Sequence, residues 1–255
     1  MKPLLSGKHA FVTGGAHGIG GAISKALYSN GATVTITGRD QDKLAKAQDL
    51  MPHSNIYELD VTDESSVNNT FDSSIKNNGF IDILVNNAGI AASAPFLKTK
   101  TSEVRKLMEV NLIGQISCSQ NALPGMIENN WGRIINISSL AGIKGQAYLT
   151  SYCASKHALV GLTRSLATEL AKFPITVNAL CPAYVETEMV KQAINSITSK
   201  TGRTPEEARA ELEKINPQGR IIEPEEIAAT VMWLCMPGSE SITGQAIAIA
   251  GGEWM

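Results

Sequence analysis

Two residues that can move a proton lie four positions apart in the stretch SYCASKHAL, residues 151–159. In a helix, Tyr152 and Lys156 occupy the same face one turn apart, so the phenol and the ammonium group converge. A nearby cation stabilises a phenolate and lets a tyrosine act as a general acid or base near neutral pH. Many solvated helix faces carry such a pair, so the spacing alone leaves both interpretations open.

A glycine-rich turn, TGGAHGIG at residues 13–20, lies between the first predicted strand and a predicted helix. Free N–H groups and the positive dipole end of a helix favour a phosphate, and missing side chains let a pyrophosphate approach closely. A tight strand-to-helix turn is the alternative, but the placement favours dinucleotide binding. The candidate cofactor residues of this turn are Gly14, His17, Gly18, Ile19 and Gly20.

The end of the second predicted strand carries Gly38 and Arg39, where dinucleotide-binding proteins usually place an acid that binds the ribose. An acid repels a 2′-phosphate, whereas an arginine pairs with it, so Arg39 favours NADP over NAD. Asp40 lies next to it, and Arg39 as a solvated turn residue is the alternative interpretation. We therefore expect NADP as the cofactor, with NAD as the alternative.

Seven apolar runs predict seven strands, and longer segments of helical period separate them, including one long helix over residues 101–129. This alternation predicts a single α/β domain over residues 1–255, a doubly wound Rossmann-type fold whose parallel sheet is covered by helices on both faces. The polar helical stretch 186–216 is longer than a simple connection needs and is predicted to form a substrate lid. The predicted strands are HAFVTG, ATVTIT, NIYELDV, IDILVNN, GRIINIS, ITVNALC and QAIAIA.

The composition argues against several classes of function. The net charge is −2 and the basic residues are scattered, so neither a nucleic-acid surface nor a polybasic membrane patch is expected. The chain begins without an apolar signal core, and no segment is long enough to span a bilayer, which predicts a cytoplasmic protein. The four cysteines lie inside hydrophobic segments as buried thiols do, and the four histidines are isolated, so no metal site is expected.

Along essentially its whole length, the chain resembles the short-chain dehydrogenase/reductase family. Six motifs in order carry the resemblance: the T-G-x-x-x-G-x-G loop from Thr13, Asp60-Val61, Asn86-Asn87-Ala88-Gly89, Asn111, Ile137-Ser138-Ser139 and Tyr152-x-x-x-Lys156. The resemblance implies a catalytic set of Asn111, Ser139, Tyr152 and Lys156. Ser139 is preferred to Ser138 because it lies at the family's interval before the tyrosine, 152 − 139 = 13. With these partners, the pair at 152 and 156 is interpreted as catalytic.

The resemblance also implies the remaining cofactor contacts. Asp60, followed by Val61, is expected to contact the adenine amine, and the backbone of Asn87, Ala88 and Gly89 to line the adenosine ribose. Val185 and Thr187 match positions that contact the nicotinamide amide and phosphate. The chain departs from the family in two places: it has Ala183 where a glycine usually follows Pro182, and His17 where NADP-using members often place a basic residue.

The activity implied by the resemblance is hydride transfer between NADP(H) and a carbonyl or secondary alcohol, such as a ketone or a 3-oxoacyl substrate. Tyr152 is the general acid or base, Ser139 and Tyr152 hold the substrate oxygen, and Tyr184 is expected in the substrate wall. A homotetramer is implied too, with the helices at 103–129 and 151–172 paired against another copy. The alternatives are a NAD-dependent 3-hydroxy acid dehydrogenase and a non-catalytic dinucleotide-sensing protein.

Overall fold

Seven strands form one continuous parallel sheet in the computed structural model, which describes residues 3–254. The strands are β1 His9–Val12, β2 Thr33–Gly38, β3 Asn55–Glu58, β4 Ile83–Asn86, β5 Gly132–Ile137, β6 Ile175–Pro182 and β7 Ala246–Ile249. Their order is β3-β2-β1-β4-β5-β6-β7, and every neighbouring pair is parallel. The predicted doubly wound α/β fold is therefore confirmed. The ends of the predicted domain, residues 1, 2 and 255, lie outside the described residues.

Nine α-helices connect and extend these strands within residues 3–254. Several begin at a side chain that accepts a hydrogen bond from the first turn: Asp40, Asp63 and Thr204 each bind a backbone N–H of the helix that follows. The helices are α1 Gly18–Ser29, α2 Gln41–Leu50, α3 Glu64–Asn78, α4 Thr101–Met108, α5 Gly114–Glu128, α6 Thr150–Glu169, α7 Glu188–Thr201, α8 Pro205–Ile215 and α9 Pro224–Cys235.

Alternate side chains of the central strands pack into two hydrophobic cores, one on each face of the sheet. In β1, Phe11 faces α3, where its ring stacks on Phe71 with 4.1 Å between centroids, while Ala10 and Val12 pack with α1 and α9 on the other face. Burial on both faces explains why the strands are apolar throughout. The expected buried, free thiols are confirmed at Cys118, Cys153, Cys181 and Cys235.

The long helix predicted over residues 101–129 is interrupted. Between α4 and α5, residues Glu109–Ile113 form a turn of π-helix centred on the buried Asn111. Such wide turns break the regular helical hydrogen-bond pattern and are frequent at functional sites. The third strand is also shorter than predicted, because Leu59, Asp60 and Val61 leave the sheet after Glu58.

The predicted lid segment, 186–216, folds into α7 and α8. These two helices form a small core of their own from Val190, Ile194, Ala208 and Leu212, together with Ile221 beyond them. The segment is thus a helical pair stabilised by its own apolar contacts. Across residues 3–254, no helix has both the length and the apolar character needed to cross a membrane.

Candidate active site

The glycine-rich turn packs so tightly that side chains would not fit. Gly14 and Gly18 have φ values of +61° and +55°, a region that favours glycine, and a Cβ on Gly20 would collide with the carbonyl oxygen of Gly14. The turn leads directly into α1, whose His17 N-cap makes no side-chain hydrogen bond to the helix. The first N–H groups of α1, with Ile19 in the first turn, therefore keep the polarity that suits a phosphate.

Asn87 ties the end of β4 to this turn. Its side-chain amide donates to the carbonyl oxygens of Thr13 and Gly14, at 3.0 and 2.9 Å. The backbone N–H groups of Asn87 and Ala88 donate to the Thr13 hydroxyl, at 2.9 and 3.0 Å. The Asn87 side chain thus fixes the end of β4 against the glycine-rich turn.

At the predicted site for the adenosine ribose, an arginine is exposed and two acids already make hydrogen bonds within the protein. Arg39 is exposed, and Asp40 binds the N–H of Lys43 as the N-cap of α2, at 3.1 Å. The Asp60 carboxylate binds Thr62, whose backbone N–H is the main cause that lowers the pKa of Asp60, with Arg39 contributing. Asp40 therefore has a structural task, and Arg39 is exposed and able to meet a 2′-phosphate.

His17 and Val61 also lie at this end of the site. Desolvation, and then the neighbouring Lys43, lower the pKa of His17, so this imidazole is neutral at pH 7. Val61 is buried, and a Cβ on Gly114 would collide with its carbonyl oxygen, so α5 packs closely against it. Neither residue offers a charge to the cofactor.

Both the oxygen and the nitrogen of the Asn111 side-chain amide make hydrogen bonds. Its oxygen accepts the N–H of Ile90 at 2.9 Å, and its nitrogen donates to the Ile90 carbonyl at 2.9 Å and to the Ser155 hydroxyl at 3.0 Å. Ser155 in turn donates to the carbonyl of Tyr152 at 2.8 Å. The π turn therefore connects the loop after β4 with the helix that carries the tyrosine.

Ser139 and Tyr152 meet where β5 ends and α6 begins. The Ser139 hydroxyl accepts the N–H of Ala141 at 3.1 Å. Burial raises the pKa of Tyr152 to about 12, and the hydroxyl of Ser139 opposes that rise as a hydrogen-bonding neighbour. The tyrosine ring packs against Leu107, Ala141 and Cys153, with Ile90 and Leu149 at the edge of the same cluster. The phenol is thus protonated at neutral pH and held in an apolar wall.

Lys156 is fully buried on the same helix. Its ammonium nitrogen donates to the carbonyl of Ile137 at 2.8 Å and lies 5.9 Å from the ring centroid of Tyr152. Burial lowers the pKa of Lys156 to about 8. A Cβ placed on Gly89 would lie 3.5 Å from this nitrogen and 3.3 Å from the Asn111 oxygen, so both polar groups border the same glycine. The lysine and the tyrosine ring are thus neighbours on α6, and the ammonium group is held by the end of β5.

The loop after β6 completes the site. Ala183 does not have the positive φ that glycine would permit, since Asn130 and Tyr148 are the non-glycine residues with positive φ among residues 3–254. Its substitution for the usual glycine therefore causes no strain. Val185 is buried, and Thr187 places its methyl group beside Gly18, 3.3 Å from where a Cβ would lie. The nicotinamide-side loop thus contacts the glycine-rich turn.

Two ion pairs between distant parts of the chain, Arg209–Glu186 and Lys144–Glu253, were missed in the sequence. Arg209 of α8 binds Glu186 at 2.7 Å and Glu213 at 2.8 Å, which joins the helical pair to the loop after β6. Lys144 binds Glu253 at 2.9 Å. The first pair joins residues 23 positions apart (209 − 186) and the second joins residues 109 apart, so local spacing could not reveal either.

A cavity of about 490 Å³ lies at the other end of the strands, beside the first residues of β1 and β2. It borders Lys8, His9 and Asp82, where Lys8 pairs with Asp82 at 2.9 Å and the imidazole of His9 is bonded at both nitrogens. The polar groups that border this cavity therefore already have hydrogen-bond or ion-pair partners within the protein. The polar groups that remain available to a ligand lie instead at the carboxyl ends of β4, β5 and β6. Open α/β sheets bind their ligands at this edge.

The residues fit a dinucleotide. The glycine-rich turn leads into the N-terminus of α1, an exposed arginine lies at the end of β2, and two buried polar groups flank Gly89 at the other end. From the arginine through the turn to the groups beside Gly89, these features follow the order of adenosine ribose, phosphates and nicotinamide ribose along a dinucleotide.

Comparisons with known proteins agree with this geometry. The family model described as Enoyl-(Acyl carrier protein) reductase matches residues 14–253. The 3-oxoacyl-[acyl-carrier-protein] reductase FabG of Aquifex aeolicus is 37% identical over 257 residues, and the D-beta-hydroxybutyrate dehydrogenase of Cupriavidus necator is 33% identical over 258 residues; each match covers 99% of both chains.

A solved structure extends the likeness to three dimensions. The crystal structure of a single-substitution variant of actinorhodin polyketide ketoreductase with NADPH has a TM-score of 0.94 to this chain, at 32% identity and 99% coverage of both chains. Similarity in sequence and in backbone thus spans the whole sheet, its helices and the candidate site. The chain belongs to the short-chain dehydrogenase/reductase family.

Proposed function

We propose that this protein is an NADP(H)-dependent oxidoreductase that transfers a hydride between the cofactor and a carbonyl or secondary alcohol of the 3-oxoacyl or ketone type. The observation that carries the proposal is the convergence of Asn111, Ser139, Tyr152 and Lys156 beside a dinucleotide cradle. The names of the relatives, 3-oxoacyl reductases and a ketoreductase bound to NADPH, support this choice of reaction and cofactor.

Each member of the catalytic set has a distinct task. NADPH, when bound, supplies the hydride. Ser139 hydrogen-bonds the substrate oxygen, and Tyr152 gives its phenolic proton to that oxygen during reduction, or takes it back during oxidation. Lys156 holds the nicotinamide ribose hydroxyls, and its charge stabilises the phenolate. Asn111 retains a free lone pair on its oxygen and positions a water that links Lys156 to solvent.

The cofactor is held by residues at both ends of the cradle. Arg39 pairs with the 2′-phosphate, which favours NADP over NAD. The other proposed contacts are made by the glycine-rich turn, by the acid that follows β3, and by the segments after β4 and β6. They are Gly14, His17, Gly18, Ile19, Gly20, Asp60, Val61, Asn87, Ala88, Gly89, Val185 and Thr187.

The helical pair α7–α8 is proposed to close over the substrate as a lid, with residues 186–216 as the moving unit. The start of this segment contacts the glycine-rich turn through Thr187. Its second helix is held by the Arg209–Glu186 ion pair. Closure would exclude water from the hydride-transfer step. Tyr184, at the base of the lid, faces the substrate.

We also propose a cytoplasmic homotetramer. Apolar side chains remain exposed in the single chain just before α4 and just before α5, with Phe96 at 71%, Leu97 at 98% and Ile113 at 48% of full exposure. Exposed apolar residues grouped in this way favour contact with a second copy. Sedimentation at micromolar concentration tests this proposal, since the mass of one chain, 27.2 kDa, would contradict it.

The function is tested with a panel of ketones, 3-oxo esters and secondary alcohols, each assayed with NADPH and with NADH. The proposal expects NADPH oxidation with an uncharged 3-oxo compound. A preference for NAD with a 3-hydroxy acid would instead favour the 3-hydroxy acid dehydrogenase alternative, which the Cupriavidus necator relative supports. A protein that binds the cofactor and turns over nothing in the panel would favour a dinucleotide sensor.

A further inference from the structure

The segments that border the Ser139–Tyr152 pair carry few charges. Residues 90–96 have none, 140–149 have Lys144 alone, 182–187 have Glu186 alone, and 250–254 have Glu253 alone. Of these three charged groups, Glu186 is paired with Arg209 on the lid. The one cation that these walls contribute is therefore Lys144.

Lys144 is neutralised by Glu253. The ammonium nitrogen lies 2.9 Å from the carboxylate oxygen, and the side chains retain 27% and 6% of their full exposure. The backbone on both sides is fixed, because the N–H of Lys144 donates to Leu140 at 2.9 Å and the N–H of Glu253 donates to Ala250 at 3.0 Å. The pair is thus built into the fold, with the carboxylate buried and the lysine partly exposed.

The pair lies beside the groups that meet the substrate. Lys144 is five positions after Ser139, and its carbonyl accepts the thiol of Cys153, the residue next to Tyr152, at 3.9 Å. Burial is the main cause that raises the pKa of Tyr184, and the carboxylate of Glu253 adds to that rise. Lys144 and its partner Glu253 therefore lie beside the start of α6, next to the residue that follows Tyr152.

We propose that Glu253 determines specificity by neutralising Lys144, so that the site favours uncharged 3-oxo esters or thioesters over free 3-oxo acids. A lysine in this wall that lacked its partner would attract a substrate carboxylate, since a charge-assisted hydrogen bond adds strongly to affinity in a site shielded from water. With Glu253 present, an incoming carboxylate meets a cation that is already paired and a carboxylate that repels it. The inference rests on the carbonyl reductase function proposed above and narrows its substrate class.

The test uses two substrates that differ in one charge, acetoacetate and its ethyl ester, with NADPH. Glu253→Gln keeps the shape of the side chain and leaves Lys144 charged but unbalanced. The ratio of kcat/KM for the acid to kcat/KM for the ester should rise by about tenfold or more over the wild-type protein. The double variant Lys144→Met/Glu253→Gln should lose this gain, and Glu169→Gln, at an exposed site on α6, should leave the ratio unchanged.

A second variant tests the inference even if Glu253→Gln does not fold. Lys144→Met leaves the Glu253 carboxylate without its partner, so acetoacetate should inhibit ester reduction more weakly than in the wild-type protein, whereas it should inhibit Glu253→Gln more strongly. An unchanged acid-to-ester ratio in folded Glu253→Gln, or an equal inhibition constant in all variants, overturns the inference while the proposed function stands. A wild-type protein that reduces neither substrate overturns the proposed function, and the inference falls with it.

Discussion

The ammonium nitrogen of Lys156 lies 2.8 Å from the carbonyl oxygen of Ile137, the last residue of β5. A carbonyl fixes the position of the lysine without cancelling its charge, so the charge remains available to the phenol and the ribose. Because the side chain is fully buried, desolvation lowers the pKa of Lys156 to about 8. The charge on which the proposed catalysis depends should therefore be lost at moderately alkaline pH.

The pH dependence of reduction should follow from that value. Lys156 is charged below its pKa of about 8 and neutral above it, while Tyr152, with a pKa of about 12, keeps its proton throughout. We expect kcat/KM for carbonyl reduction to be level on the acid side and to fall as pH rises through about 8. Lys156→Met should retain a small residual rate without this alkaline decline, and a decline of the same midpoint in that variant would contradict the assignment.

Removing the phenolic hydroxyl should abolish turnover but spare cofactor binding. Tyr152→Phe keeps the ring in its apolar cluster and removes the proton donor, so kcat should fall by about 10²–10⁴-fold with little change in the Kd for NADPH. The same chemical change at Tyr57, whose hydroxyl contacts Asn77 on the surface, serves as the matched control. Retention of more than about a tenth of the activity by Tyr152→Phe would rule out its role.

Cofactor preference should depend on Arg39. A charge-assisted contact with the 2′-phosphate is worth about 1.5–3 kcal/mol, so kcat/KM should favour NADPH over NADH by at least about tenfold. Arg39→Asp should invert that order, whereas Lys46→Asp, the same change at an exposed position of α2, should not. If the wild-type protein uses NADH as well as NADPH, Arg39 is a solvated turn residue and the catalytic assignments are unaffected.

The lid should depend on Arg209. Hydrogen exchange over residues 186–216 should slow when cofactor and substrate are both bound, and Arg209→Gln should weaken that protection because it removes both carboxylate contacts. These pairs are part-exposed, so KM for the carbonyl should rise only about two- to fivefold. Lys214→Gln removes a more exposed pair on the same helix and is the control. Unchanged exchange in the wild-type ternary complex would exclude a closing lid.

Acid should destabilise the fold through His9. Its imidazole is buried between the Gly79 carbonyl at 2.9 Å and the Thr35 hydroxyl at 3.0 Å, and burial lowers its pKa below the ordinary 6.5. The unfolded chain then binds a proton that the folded chain rejects, so stability present above pH 6.5 is lost as pH falls below it.

Urea unfolding of wild-type protein and His9→Gln between about pH 5 and 7 measures this effect. The variant should be less stable at pH 7 by about 1–3 kcal/mol, because buried hydrogen bonds are lost, yet its stability should fall less on acidification. His53→Asn, at an exposed site, should keep the wild-type pH dependence. Equal acid sensitivity in all three proteins would show that His9 is not responsible.

Local patterns were sufficient to predict the sheet and much of the candidate site. Strands buried on both faces are continuously apolar, and the pair Tyr152 and Lys156 keeps its four-residue spacing in α6. The glycine-rich turn was predictable because steric exclusion acts between neighbours, as the clash at Gly20 shows. In each case the determining contacts lie within a few residues of one another, or follow from burial alone.

Features that depend on distant contacts could not be predicted in the same way. The π turn at Asn111 is held by Ile90 and Ser155, which come from other parts of the chain, so helical periodicity alone predicted an unbroken helix. The Lys144–Glu253 pair forms only when the loop after β5 and the segment after β7 meet. The direction of Lys156 toward Ile137 likewise required the packed structure.

The strand order separates two kinds of recognition along one edge of the sheet. Arg39 follows β2 on one side of β1, whereas Ser139 and Tyr184 follow β5 and β6 on the other. Because groups that are far apart and share no partner contribute independently, changes in coenzyme choice and in carbonyl choice should be additive in free energy. The two preferences should therefore be exchangeable separately: the end of β2 would set the choice between NADP and NAD, and the loops after β5 and β6 would set the molecule that is reduced.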